Sequence, residues 1–181
     1  MNFELKTLSL SDAAAHKCDL LVLLVPDGFK PQADALSVLA ARAIKDGDLE
    51  LKPGKLLPLY GVPGIAARRL VLLGCGKGSA QAVRQAVQAL GATLKAPSVR
   101  RAALVFARDA EAGCVGAAVR ALADASYVYT TTKPKADARA LSRVTVGVPG
   151  GLETARPEFS TSVALVAGIE YAREWASRPA N

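Results

Sequence analysis

Apolar and polar positions alternate through "FELKTLSL" (3–10), the pattern of a strand with one wet face. "DLLVLLVP" (19–26) is apolar throughout, as a strand covered on both faces would be. In "PQADALSVLAARAIKDGD" (31–48) the period becomes helical. Pro31 stands at a plausible first helical position, Leu36, Leu39, Ala40 and Ala43 lie on one side, and Asp46-Gly47 ends the run. "KLLPLYG" (55–61) and "RRLVLLG" (68–74) read as two strands joined through the turn "VPG". Ser79 is placed to cap a helix carrying Ala80, Val83, Val87, Leu90 and Leu94 at helical spacing. "RRAALVFA" (100–107) is another buried strand, and a helix from about Glu111 turns Val115, Val119 and Leu122 inward. "TTTKPKADAR" (130–139) is a polar loop, "RVTVGVP" (143–149) a last strand, "GGLETARP" (150–157) a break, and 157–179 a long final helix.

The predicted order is β-β-α-β-β-α-β-α-β-α. Such alternation implies an α/β fold, a three-layer α/β/α sandwich with helices on both faces of the sheet. The two strands in direct succession, 55–61 and 68–74, make the sheet mixed rather than wholly parallel.

A chain of 181 residues, 51% hydrophobic and 22% charged, has the composition of a globular domain. Its apolar run Leu20 to Val25 is much shorter than the ~18 residues that span a membrane, so no membrane partner is expected. The start "MNFELKTLSL" lacks the basic-then-apolar pattern of a secretory signal. Cys18, Cys75 and Cys114 are odd in number and widely spaced, which argues against a disulfide framework and for a reducing cytoplasm. The net charge of +7 permits an anionic partner such as DNA. It is equally what scattered Lys and Arg give a soluble domain.

Candidate chemistry centres on "LVLLGCGKGSAQAV" (70–83). A Walker A loop needs GxxxxGK followed by Ser or Thr, but Gly76-Lys77 is followed by Gly78 and Val71 stands five positions before Gly76. A dinucleotide fingerprint begun at Gly74 needs glycine where Ser79 stands, and a carboxylate about 20 residues on, where Lys95, Ala96 and Pro97 lie. What remains is a strand–glycine–helix turn of Gly74, Gly76, Lys77, Gly78 and Ser79. Its helix N-terminus could attract an anion, or its glycines serve only to reverse the chain; the second reading is preferred. Lys77, near Cys75, could lower the thiol pKa, yet no base accompanies it, and Cys75 is read as a packing residue. His16 is the single histidine, without a nucleophile elbow or paired cysteines around it, and is expected to be solvated or capping. Asp46, Asp48 and Glu50 are flanked by Lys45 and Lys52 and read as a hydrophilic loop. No catalytic or metal-binding constellation is visible.

Read together, two stretches resemble one family. "DGDLELKPGKLLPLYGVPGIAARRLVLLGCGK" (46–77) is similar to the N-terminal domain of the leucyl (cytosol) aminopeptidases, with an acidic-Gly turn, K-P-G, a strand, a P-G turn, a strand and G-x-G-K. "GIEYAREWASRPAN" (168–181) resembles the segment where that domain's last helix enters the catalytic half, although Ser177 stands where the family usually has Asn. The resemblance implies a macro-domain-like fold for residues 1–155 and a helix, 156–181, leading to a C-terminal catalytic domain absent from this chain. It further implies an intracellular homohexamer that releases N-terminal residues, leucine among them, using two divalent ions (zinc, manganese or magnesium). Those ions and the family's NTDAEGR signature belong to the missing half. The domain itself would be non-catalytic and assist assembly. Two alternatives follow from the same likeness: an ADP-ribose-binding module with the diphosphate at Gly74, Gly76, Gly78 and Ser79, or a DNA-binding accessory domain.

Overall fold

Successive residues of the second strand face opposite ways: Leu20, Val22 and Leu24 enter one hydrophobic cluster, and Leu21, Leu23 and Val25 the other. That double burial sets the architecture. The computed structural model describes residues 1–130, 132 and 137–178. In chain order the elements are β1 (Asn2–Thr7), α1 (Leu10–Ala15), β2 (Leu20–Val25), α2 (Ala35–Lys45), β3 (Leu56–Tyr60), β4 (Arg69–Gly74), α3 (Ala80–Gln88), α4 (Gly91–Leu94), β5 (Arg101–Phe106), α5 (Cys114–Ser126), β6 (Arg143–Val148) and α6 (Leu152–Ala176).

The sheet order is β1-β6-β5-β2-β4-β3. β1, β6, β5, β2 and β4 run parallel, and β3 pairs antiparallel with β4, Leu57 opposite Leu72. The expected mixed sheet is therefore present, and its antiparallel member is the one the adjacent strands 55–61 and 68–74 implied. One cluster lies between the sheet and α3, α4, α5 and α6; the other lies beneath α1 and α2.

Four local expectations are corrected. The segment 3–10 is not one strand: β1 ends at Thr7 and α1 begins at Leu10, nucleated by a capping box. The Ser9 hydroxyl accepts from the Asp12 N–H at 3.1 Å, and the Asp12 carboxylate accepts from the Ser9 N–H at 3.3 Å. The second helix starts not at Pro31 but at Ala35, because Asp34 caps it by accepting from the Ser37 N–H at 2.9 Å. The helix from Ser79 is divided near Ala89 and Leu90, whose N–H groups reach back three residues, not four; Val83, Val87, Leu90 and Leu94 nonetheless point into the core as expected. Finally, "GGLETARP" is no break. α6 begins at Leu152 and carries Pro157 inside it, since Leu152, Ala155 and Phe159 pack on the core and hold the first turns helical. Of the loop expected over 130–139, residues 131 and 133–136 lie outside the described residues.

The α5–α6 contact contains a cap supplied across the interface. Gly113 begins α5 with no side-chain cap of its own. Glu158 of α6 provides one, its Oε2 accepting from the Gly113 N–H at 3.0 Å and its Oε1 from the Gly116 N–H. A carboxylate there satisfies free donors and complements the helix dipole. Glu158→Ala is expected to cost about 1–2 kcal/mol, read as a lower urea midpoint. Glu158→Gln, which retains one acceptor, should fall between the two; an unchanged alanine variant would refute the capping role.

Candidate functional site

β2 sends its chain to α2 on one face, whereas its neighbours β4 and β5 send theirs to α3 and α5 on the other. Divergence of this kind opens a crevice outside the carboxyl ends of the strands, where ligands of α/β sheets commonly sit. Here the crevice encloses about 470 Å³ between the loops after β2, β5 and β6, with Phe29, Lys30, Arg108 and Asp109 on its walls.

The glycine turn lies beside it, at the end of β4, and its five sequence-predicted residues do come together. Gly74 is the last residue of β4. A Cβ there would stand 2.5 Å from the Glu50 carbonyl oxygen and 2.7 Å from the Leu51 carbonyl carbon. Gly76 (φ +54°) packs on Pro53, and Gly78 (φ +79°) faces the Arg108 guanidinium. Four backbone donors of this stretch have acceptors within the chain: Gly74 N–H to Lys55 O at 2.8 Å, Cys75 to Val25 at 3.0 Å, Gly76 to Leu51 at 2.7 Å and Gly78 to Cys75 at 3.0 Å. Arg108 donates to the Lys77 carbonyl at 3.0 Å, while the Lys77 residue is exposed. Ser79 caps α3 as expected, accepting from the Ala82 N–H at 3.3 Å. The turn thus binds segment 50–55 and Arg108 of its own chain.

Cys75 is buried, and burial pushes its thiol up to about 12. Its burial agrees with the reading of Cys75 as a packing residue: loss of solvent outweighs the nearby Arg108 charge. Cys18 and Cys114 are buried as well, their thiols pushed by burial to about 11. These shifts have a pH consequence. Below the ordinary 9.0, thiols are protonated in folded and unfolded chains alike. Between 9 and about 11–12 the unfolded chain gives up protons that the folded chain keeps, so stability falls as pH rises. The urea midpoint should be clearly lower at pH 10.5 than at pH 8, with Cys75→Ala reducing the difference. An identical fall in that variant would assign the effect to other groups.

His16 closes α1 as its C-cap through its backbone N–H, bonded to the Ala13 carbonyl, a bond that does not depend on the imidazole. Partial burial and the Lys6 charge hold its pKa below the ordinary 6.5. In the acidic turn, Glu50 pairs with Lys55 at 3.2 Å and Lys52 at 3.6 Å, and Asp46 with Arg42 at 3.4 Å. Hydrogen bonding from Lys55 holds the exposed Glu50 carboxyl below its usual value. Among the described residues no three His, Cys, Asp or Glu side chains converge as a metal site, nor is any helix long and apolar enough to cross a membrane.

Fold and site together define an α/β/α domain whose glycine turn joins loops to the sheet. Comparison with known proteins places it further. The profile of the cytosol aminopeptidase family, N-terminal domain, matches residues 23–136, and the chain belongs to that family. It is 65% identical over its full length to a probable cytosol aminopeptidase of Acidovorax sp., and 62% identical to one of Verminephrobacter eiseniae. It spans only 36% and 35% of those two relatives, little more than a third of their length. Among solved structures, a mutant of tomato leucine aminopeptidase superposes over 99% of this chain and 38% of its own, with a TM-score of 0.74 at 17% identity. The bottromycin maturation enzyme BotP, in complex with Mn, superposes over 90% of this chain and 32% of its own, with a TM-score of 0.64 at 18% identity. Both likenesses concern the fold, and agree with the α/β/α sandwich with a mixed sheet expected from sequence.

Proposed function

We propose that this chain is the non-catalytic N-terminal domain of a metal-dependent aminopeptidase, which releases N-terminal residues, leucine among them, from peptides in the cytoplasm. The observation that carries the proposal is the 65% identity across all 181 residues to a relative named as a probable cytosol aminopeptidase, of which they form 36%. The donor set does not fit a two-metal centre: among the described residues no three His, Cys, Asp or Glu side chains converge. The metals and the hydrolytic step accordingly belong to the remainder of the enzyme. The domain's part is structural, assisting subunits of a homohexamer to associate, with residues 1–155 as its body and 156–181 as the connection to the catalytic half.

The test compares residues 1–181 with the full-length polypeptide on leucine p-nitroanilide with added manganese. The full-length chain is expected to hydrolyse it, lose activity to a chelator and sediment as a hexamer, while residues 1–181 release nothing. Hydrolysis by residues 1–181, or a full-length chain inert toward N-terminal residues, would overturn the proposal.

A second reading is favoured by the position of the crevice at the strand ends and by Lys30 and Arg108 on its walls. It places a nucleotide of the ADP-ribose type there. Calorimetric titration that gives no heat at millimolar ADP-ribose would eliminate it; saturable heat lost in Arg108→Ala would support it.

A further inference from the structure

α6 is built inside out for a helix at a protein surface. It runs for 25 residues, yet only Ser162 and Val166 are fully buried. Along its inner side Phe159 and Val163 pack on the core. Glu153 and Arg156 face solvent in its first turns, but further along Glu170 makes a bidentate pair with Arg139 at 2.5 and 2.9 Å, Arg173 meets Asp124 at 2.5 Å, and Glu174 meets Arg178 at 2.7 Å. Between Phe159 and Ala176 the charged residues Glu170, Arg173 and Glu174 are held in ion pairs along the flanks, the Arg173 and Glu174 side chains 41% and 43% exposed, and the Arg178 guanidinium lies 4.3 Å over the Trp175 ring. The solvent side has the opposite character. Leu165 is 48% exposed, Ile169 38%, Tyr171 65% and Trp175 53%. Tyr171 and Trp175 meet edge to face with centroids 6.1 Å apart, forming a ledge near the end of the helix.

Gly168 sits in the middle of this face. A Cβ there would meet nothing within 4 Å, so no contact inside the domain requires glycine. Glycine weakens a helix interior, and what it offers in return is close approach of another backbone. A helix apolar on both sides is the pattern of one buried on both sides, and contiguous exposed apolar surface marks an interaction site.

We infer that this face, from Leu165 through Gly168 to Trp175, is covered in the full-length protein by the remainder of the same polypeptide, the catalytic portion that follows residue 181 in the relatives. Length and position identify that occupant. The family's matched unit is an N-terminal domain, and the chain forms 36% of the relative from Acidovorax sp., so the larger part of that relative lies outside it. The aromatic ledge lies at the C-terminal end of α6, the end that leads toward the rest of the polypeptide in a relative of which this unit is the N-terminal domain. The inference rests on the proposed function for the nature of the occupant, not for the existence of the interface.

The test uses the full-length chain. Hydroxyl-radical footprinting with mass spectrometry reads the oxidation rates of Tyr171 and Trp175, each normalised to the same residue in the unfolded protein. Both are expected to be protected several-fold beyond what their exposure in this domain gives. Leu165→p-benzoylphenylalanine, irradiated in a mixture of light and heavy isotope-labelled subunits, should link to peptides beyond residue 181 of its own subunit. Unprotected rings would overturn the inference. So would links to another subunit, because they would make a second copy the occupant. Leucine p-nitroanilide hydrolysis by the same preparation separates the two claims: protection without activity would remove the functional proposal alone, and activity with exposed rings would remove the interface alone.

Discussion

Gly74→Ala is expected to destabilise the domain by about 3 kcal/mol, the upper part of the usual range for overpacking. The added Cβ would fall 2.5 Å from the Glu50 carbonyl oxygen and 2.8 Å from that of Leu51. These are backbone atoms, which cannot swing aside as a flexible side chain does. They are also held in place: Gly76 N–H donates to the Leu51 carbonyl at 2.7 Å, Gly74 N–H to the Lys55 carbonyl at 2.8 Å, and Gly54 N–H to the Gly74 carbonyl at 3.3 Å. Relief of the clash therefore means moving segment 50–55 off the end of β4 and breaking those bonds. For a domain of this size the loss corresponds to a fall in Tm of about 6–12 °C. Gly168→Ala is the matched control, since its Cβ meets open space in a helix, and it should be neutral or slightly stabilising. A Gly74→Ala melt within a degree of the parent would show that segment 50–55 does not press on β4.

Leu104→Ala should cost about 2–5 kcal/mol, the range for deleting a buried leucine side chain to its β-carbon. Leu104 lies on β5 between Val22 of β2 and Val146 of β6, fully buried in the cluster that α3, α5 and α6 cover. Both flanking strands are themselves hydrogen-bonded on both sides, so the sheet cannot collapse freely into the cavity. That places the expected cost toward the middle of the range. The measurement is urea unfolding, with a lower midpoint and an unchanged slope. Val38→Ala on exposed α2 surface supplies the reference, with an effect near zero. Equal midpoints for the two variants would mean that β5 is not the centre of the sheet.

Much of this architecture was legible along the chain because its signals are local. The apolar run at Leu20–Val25 announced a strand covered on both faces, and each of its six residues is buried. Val83, Val87, Leu90 and Leu94 announced the inward face of α3 and α4. Ser79 announced its cap. The misses have equally specific causes. Alternation continuing to Leu10 hid the Ser9–Asp12 capping box, a signal that was present but outweighed by a longer pattern. Pro157, a helix breaker by local rules, lies within α6 because Leu152, Ala155 and Phe159 gain more by packing than the lost backbone bond costs.

For the candidate site the balance differs. Sequence placed Gly74, Gly76, Lys77, Gly78 and Ser79 in one strand-to-helix turn, and could exclude the nucleotide motifs by spacing alone, since spacing is a property of the chain. It could not show what the glycines accommodate. That depended on segment 50–55 and Arg108, brought against the turn from about 20 and 30 residues away. In the same way it placed Lys77 beside Cys75 but not the depth of burial that controls the thiol. Nor could any reading of α6 alone tell which of its two apolar sides the domain would cover, because both have helical spacing; that was decided by where α5 and β1 lie. Element type, the mixed sheet and family membership were thus determined by the order of residues, through periodicity, capping and close sequence likeness. Steric need at Gly74, the protonation of the cysteines and the uncovered face of α6 were decided only in the tertiary structure, because excluded volume, desolvation and packing act between segments distant in sequence.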